Sequence, residues 1–222
     1  MPVGTVQGQL IRDYKPAQRK QSQEVARQAP IGEIILSEDF DDSAFPPESW
    51  SRQTLNANAS WQRMQLPETP FASVQEGSKA SAICRWSLEE QDEWLISPLI
   101  DVRDYQSLYI TFYGGFSKDY LDFANLRLMV THPDSSSWKP LWNASNDTIA
   151  SRDWMWRYQE IPAFAWTGRK IRLAWQYTGK KGDLAGLDAV AVYAGGPAQG
   201  TDITAFSFPG ETEESKINTN KH

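Results

Sequence analysis

The feature that most constrains this chain is a two-residue rhythm. In Lys170–Tyr177 the side chains of Ile171, Leu173, Trp175 and Tyr177 fall on every second position, with Arg172, Ala174 and Gln176 between them. Residues two apart share a face of a strand but point to nearly opposite sides of a helix, so this spacing demands a strand with one buried face. Asn125–Thr131 repeats the pattern, with Leu126, Leu128 and Val130 on one face and Arg127 and Met129 on the other. A chain holding several half-buried strands must set their apolar faces together, and two packed sheets are the simplest way to do so.

Further segments read as strands. They are Ile34–Leu36, Trp61–Met64, Ser78–Trp86, Trp94–Val102 broken at Pro98, and Ser107–Gly114. Trp138–Trp142, Arg157–Ile161 and Leu187–Tyr193 follow. Turn-forming residues separate them, among them Pro46-Pro47 and His132-Pro133-Asp134. No long helical period intervenes. With about nine strands in view, the expectation is an all-β fold, a two-sheet antiparallel β-sandwich of the jelly-roll type. The 10 Trp, 8 Tyr and 9 Phe suit it, because wide side chains fill the space between sheets.

Composition divides the chain into three. Residues 1–32 are polar and rich in Gln, Lys and Arg, and read as a linker or the end of a preceding domain. Residues 33–196 form the sandwich. Residues 197–222 read as a linker followed by the first strand of a further domain, Ile203–Pro209. The chain therefore reads as part of a larger protein.

Charge and residue chemistry narrow the function. The net charge is −6, which lacks the basic footprint of a nucleic-acid binder. No run of residues is apolar enough for a transmembrane helix. The single cysteine, Cys84, rules out an intrachain disulfide framework and reads as a small strand residue. His132 and His222 are the only histidines, so Ser-His or Cys-His chemistry is poorly supplied. Carboxylate pairs for glycoside hydrolysis are available from Glu89, Glu90, Asp92, Glu93, Asp119 and Asp122, but nothing in the spacing selects one. The chain reads as a non-catalytic module.

An ordered series of motifs adds a family likeness. Ser37-Glu38-Asp39-Phe40-Asp41, Pro47-Glu48-Ser49-Trp50, Trp94-Leu95-Ile96-Ser97-Pro98, Ile171–Tyr177 and Leu187-Asp188-Ala189-Val190 together resemble the cleaved-adhesin, or choice-of-anchor J, family. These modules are related in fold to MAM-like jelly rolls and include the haemagglutinin/adhesin modules of gingipains. The resemblance spans roughly residues 34–194. It implies a jelly-roll adhesion module of a secreted or cell-surface multidomain bacterial protein. It also implies a structural calcium between the first and last strands. The family often carries two consecutive acids in the last motif, where this chain has Asp188-Ala189.

Two candidate sites follow. The metal set is Glu38, Asp39, Asp41 and Asp188, since calcium requires a dense group of oxygen ligands. If Ser37–Asp42 runs as a strand, Asp39 and Asp41 project to one face and Phe40 anchors the other. The competing reading is an exposed acidic turn. The ligand set is Trp138, Trp142, Trp154 and Trp156, because exposed aromatic faces stack on sugar rings. The competing reading places these indoles in the core. The expected partner is a glycan, a host protein or a neighbouring domain of the same polypeptide; the alternative is a spacer domain without a ligand.

Overall fold

The computed structural model describes residues 32–65, 78–148 and 152–196. Within them lie twelve strands: β1 (Glu33–Glu38), β2 (Ser51–Gln53), β3 (Trp61–Gln65), β4 (Ala80–Cys84), β5 (Gln91–Ile96) and β6 (Ile100–Asp101), then β7 (Ser107–Phe116), β8 (Ala124–Thr131), β9 (Lys139–Asn143), β10 (Met155–Pro162), β11 (Lys170–Gly179) and β12 (Ala185–Gly195). The linker or preceding-domain end expected over residues 1–32 falls, apart from Gly32, outside the described residues, as do the linker and further strand expected over residues 197–222.

Every pairing is antiparallel, and the strands form two six-stranded sheets. The first runs β10-β7-β12-β4-β3, with β1 continuing beside β12. The second runs β2-β5-β11-β8-β9, with β6 beside β11. This is the two-sheet antiparallel sandwich of jelly-roll type that the alternation called for. One short strand, β2, escaped the sequence reading, and the break at Pro98 divides the expected Trp94–Val102 strand into β5 and β6. β2 follows directly on the Pro46-Pro47 turn region and is three residues long.

The inner faces meet over an aromatic column. Trp50 stacks on Trp175 at 5.8 Å between ring centroids, and Phe112 meets Trp175 edge-on at 5.6 Å. Phe40 leans edge-on against Trp50, and Trp142 packs against both Phe112 and Phe116. Leu126, Leu128, Val130, Ile171 and Leu173 fill the second sheet's side of this core, as their alternation requires. Cys84 is buried in β4.

A second apolar cluster lies on the opposite face of the second sheet. Ile96, Met129 and Ala174 are buried there beneath Trp94 and Trp138. Ile96 and Met129 both pair with Ala174 across the sheet, so all three point the same way.

Candidate functional site: the outer face of the second sheet

Four neighbouring strands build this face. Its central row runs Trp94 on β5, Gln176 on β11, Arg127 on β8 and Asn143 on β9, each directly opposite the next. Directly paired residues on adjacent strands point to the same side, so these side chains stand together. The next row holds Ile96, Ala174 and Met129, and the row beyond it holds Arg172 opposite Thr131.

Trp138 arrives from the turn between β8 and β9 and tilts against Trp94, with centroids 5.3 Å apart at 48°. Both indoles are half-buried, resting on the apolar row while keeping part of each ring in solvent. Asp92 fixes the pair from the side. Its Oδ1 accepts from Trp94 Nε1 at 2.6 Å and from Gln176 Nε2 at 2.8 Å. Thr131 Oγ1 donates to Ser137 O at 3.0 Å and ties down the loop that carries Trp138. The result is a preorganised aromatic surface beside amide and guanidinium groups.

The four tryptophans proposed from sequence divide. Trp138 belongs to this face. Trp142 does not: it pairs with Leu128, whose side chain points inward, and its ring packs on Phe112 and Phe116 in the core. Trp154 is 5% exposed and donates from Nε1 to Leu184 O at 2.7 Å. It meets Trp156 edge-on at 5.0 Å, and the two rings lie over Gly115 and Gly186 on the outside of the first sheet. Sequence reasoning missed Trp94, because the apolar run Trp94-Leu95-Ile96 hides which residue faces out. The signal was Leu95: an inward Leu95 places Trp94 outward.

The acids of the first and last strands occupy a separate place. β1 pairs with β12 up to Glu38 opposite Val190, so the two motifs do come together. The strand ends at Glu38, however, and Phe40 takes a left-handed backbone (φ 58) to enter the core. Asp39 and Asp41 therefore do not share a strand face. Their carboxylates turn onto the chain: Glu38 accepts from Phe40 N, Asp39 from Asp41 N, and Asp41 Oδ1 from Lys79 N and Ala80 N. Arg63 clamps the carbonyls of Phe40 and Asp41.

Asp188 is 1% exposed, beside a register shift in β12 where Ala189 has φ 47. It accepts from Ser81 Oγ at 2.8 Å, Ser78 Oγ at 3.3 Å and Ala189 N at 2.7 Å. Burial pushes its pKa up to about 6 despite these bonds, and the negative charge of Asp41 adds to the rise. Glu38 is also raised, mainly by burial, with Asp39 and Asp42 contributing. Among the described residues no three acids, histidines or cysteines gather at metal-ligand spacing. The link between Asp41 and Asp188 is electrostatic: Asp41 adds to the rise of the Asp188 pKa, while both carboxylates accept hydrogen bonds from the chain, Asp41 from Lys79 N and Ala80 N and Asp188 from Ser78, Ser81 and Ala189 N.

The acids nominated for hydrolysis scatter. Asp92 lies on the outer face, while Glu93 is buried on the inner one, holding Asn56 N and Thr54 Oγ1. Glu90 pairs with Lys180, and Asp119 with Arg152.

No family model matches the sequence, and no curated protein matches it. Solved structures do. The K1 cleaved adhesin domain of Lys-gingipain from Porphyromonas gingivalis W83 superposes with a TM-score of 0.54 at 20% identity, covering 74% of this chain and 100% of that one. This chain has the fold of a cleaved adhesin domain. The K3 cleaved adhesin domain of the same gingipain gives 0.53 at 15% identity, over 72% of this chain and 99% of that one. A carbohydrate-binding module, TmCBM61 in complex with beta-1,4-galactotriose, gives 0.51 at 14% identity, over 70% and 94%. The cleaved-adhesin fold is thus shared here with a module that holds a sugar. No helix among the described residues is long and apolar enough to cross a membrane.

Proposed function

We propose that this chain is a non-catalytic glycan-binding module of a secreted or cell-surface protein, and that its ligand lies across the outer face of the second sheet. The observation that carries the reading is the Trp94–Trp138 pair, held half-exposed on Ile96, Met129 and Ala174 and oriented by Asp92. An indole that presents part of its face to water can stack on the C–H face of a pyranose ring, and the adjoining Gln176 and Asn143 supply partners for hydroxyls. A rigid surface loses little freedom on binding, which favours affinity. The sugar bound by a module of similar fold supports the same reading.

Isothermal titration against a panel of oligosaccharides tests it. Trp94→Ala and Trp138→Ala should each weaken binding by about tenfold or more, equivalent to at least ~1.4 kcal/mol. Trp156→Ala, on the other sheet, should leave it unchanged. A panel with no binder, or binding indifferent to both Trp94 and Trp138, would replace this reading with that of a spacer domain.

A structural calcium at Asp41 and Asp188 belongs to the same proposal. Its support is the meeting of β1 with β12 and the charge of Asp41 acting on the buried Asp188. The ion would neutralise that repulsion and join the loop after β1 to the last strand. Thermal unfolding in EDTA and then in millimolar calcium tests it. A midpoint that rises with calcium in the parent, and not in Asp41→Ala, is the expected result. Identical curves would remove the ion.

A further inference from the structure

The outer face of the second sheet carries a charge imbalance that neutral sugars do not explain. Arg127 stands in the central row, beside Gln176 and one strand further from Trp94, which puts its Cα about 10 Å from that of Trp94 at ordinary strand spacing. It is half-buried, yet among the described residues it has neither an ion pair nor a side-chain hydrogen bond. Arg172, on β11 two rows away, is exposed and likewise unpaired. The acid on the same face, Asp92, has its Oδ1 occupied by Trp94 and Gln176. Three other arginines sit beside an acid: Arg103 with Asp101, Arg152 with Asp119 and Arg157 with Asp147, while Arg52 and Arg63 are held by backbone carbonyls. Two guanidinium groups thus stand without a matching acid on the face that carries the aromatic pair, in a protein of net charge −6.

We propose that the glycan bound here is anionic, a chain bearing carboxylate or sulfate groups. The ring of one residue rests on Trp94 and Trp138, and the acid group reaches the Arg127 guanidinium. Arginine suits this task because its planar fork matches the two oxygens of a carboxylate or sulfate and stays charged at every physiological pH. Partial burial of Arg127 reduces its screening by solvent, so the contact gains more than a pair at the rim would. Arg172 extends the positive strip along the strand direction for a further acidic residue of the same chain. The proposal rests on the glycan-binding reading of this face.

The test uses the whole chain, titrated with oligogalacturonides, sulfated galactan oligosaccharides and neutral galactan oligosaccharides. Either acidic series should bind more tightly than the neutral one by about tenfold or more; which of the two wins separates a carboxylate from a sulfate ligand. Arg127→Gln should remove that preference while leaving the unfolding midpoint in place. Arg127→Lys should keep the charge but recover only part of the affinity, because an ammonium cannot form the fork. Trp94→Ala should abolish binding of all three series. Equal affinity for neutral and acidic sugars, lost in Trp94→Ala, would overturn the anionic preference and leave the glycan site standing. Acidic binding that ignores Trp94 and Arg127 and vanishes with modest salt would be nonspecific, and would overturn it too. Binding of none of the three series would count against both readings.

Discussion

At the scale of single residues, Asp188 has the clearest consequence. Its carboxyl is buried among Ser78, Ser81 and the Ala189 amide, and its pKa stands near 6. An unfolded Asp titrates near ~3.9, so the native state holds this proton more tightly than the unfolded one. Stability from this group is present below about pH 4 and is lost as pH rises through 4 to 6, on the order of 2–3 kcal/mol in all. In EDTA, urea midpoints of the parent should fall over that window relative to Asp188→Asn, which cannot ionise. The variant should be the more stable of the two at pH 7.5, since Ser78 and Ser81 can donate to an amide oxygen or accept from its NH₂. Parallel pH profiles for parent and variant would show that Asp188 titrates normally. Calcium should reverse the difference at neutral pH, because an ion stabilises the carboxylate that Asn lacks.

Elements succeed or fail through the faces they present, and tryptophan shows this in both sheets. On the first sheet, β7 and β12 offer Gly115 and Gly186 side by side, and the indoles of Trp154 and Trp156 lie on their bare backbones. A Cβ on Gly115 would stand 2.2 Å from the Trp154 ring, and one on Gly186 would stand 2.6 Å from the Trp156 ring. Gly115→Ala should therefore cost ~1–3 kcal/mol in chemical denaturation, and Trp154→Leu in the same chain should recover part of that loss. If Gly115→Ala unfolds like the parent, the close packing of ring on backbone is wrong. On the second sheet, Trp142→Ala empties a core site and should cost ~3–5 kcal/mol. Trp138→Ala opens only a surface cluster and should cost far less while damaging binding. The sequence made the inward strands readable: Ile171, Leu173, Trp175 and Tyr177 all point inward as their spacing demanded. It did not reveal that Trp142 shares a row with Leu128, because a register shift between Leu128 and Met129 adds a residue to β9 and breaks its parity with β8. Nor did it reveal Trp94, whose partner Trp138 lies beyond three intervening strands in the chain. Cross-sheet neighbours of that kind are set by register, which a local pattern does not contain.

For the whole molecule, the order of strands brings the first and last described strands together. β1 and β12 are the first and last strands described, and they pair with each other from Glu33 opposite Ala194 to Glu38 opposite Val190. The long central strands, β7 and β12 in one sheet and β11 and β8 in the other, are thus enclosed by partners from within residues 33–196. The acidic motif that ends β1 also meets Asp188 only because of this closure, so the candidate cation site depends on both ends of the domain. The pairing of β1 with β12 closes the described strands on one another. A chain cut to residues 33–196 keeps every strand pairing described here and should unfold in one cooperative transition with a midpoint close to that of the full chain. Cutting further, through residue 39, removes β1, exposes an edge of β12, takes Ile35 and Leu36 away from the core, and strips Glu38 and Asp39 from the acidic motif. That shorter chain should lose several degrees or fail to fold, and its midpoint should no longer respond to calcium as the 33–196 chain does. Equal stability of the two truncations would mean that β1 is an ornament on the sheet and that the domain begins after it.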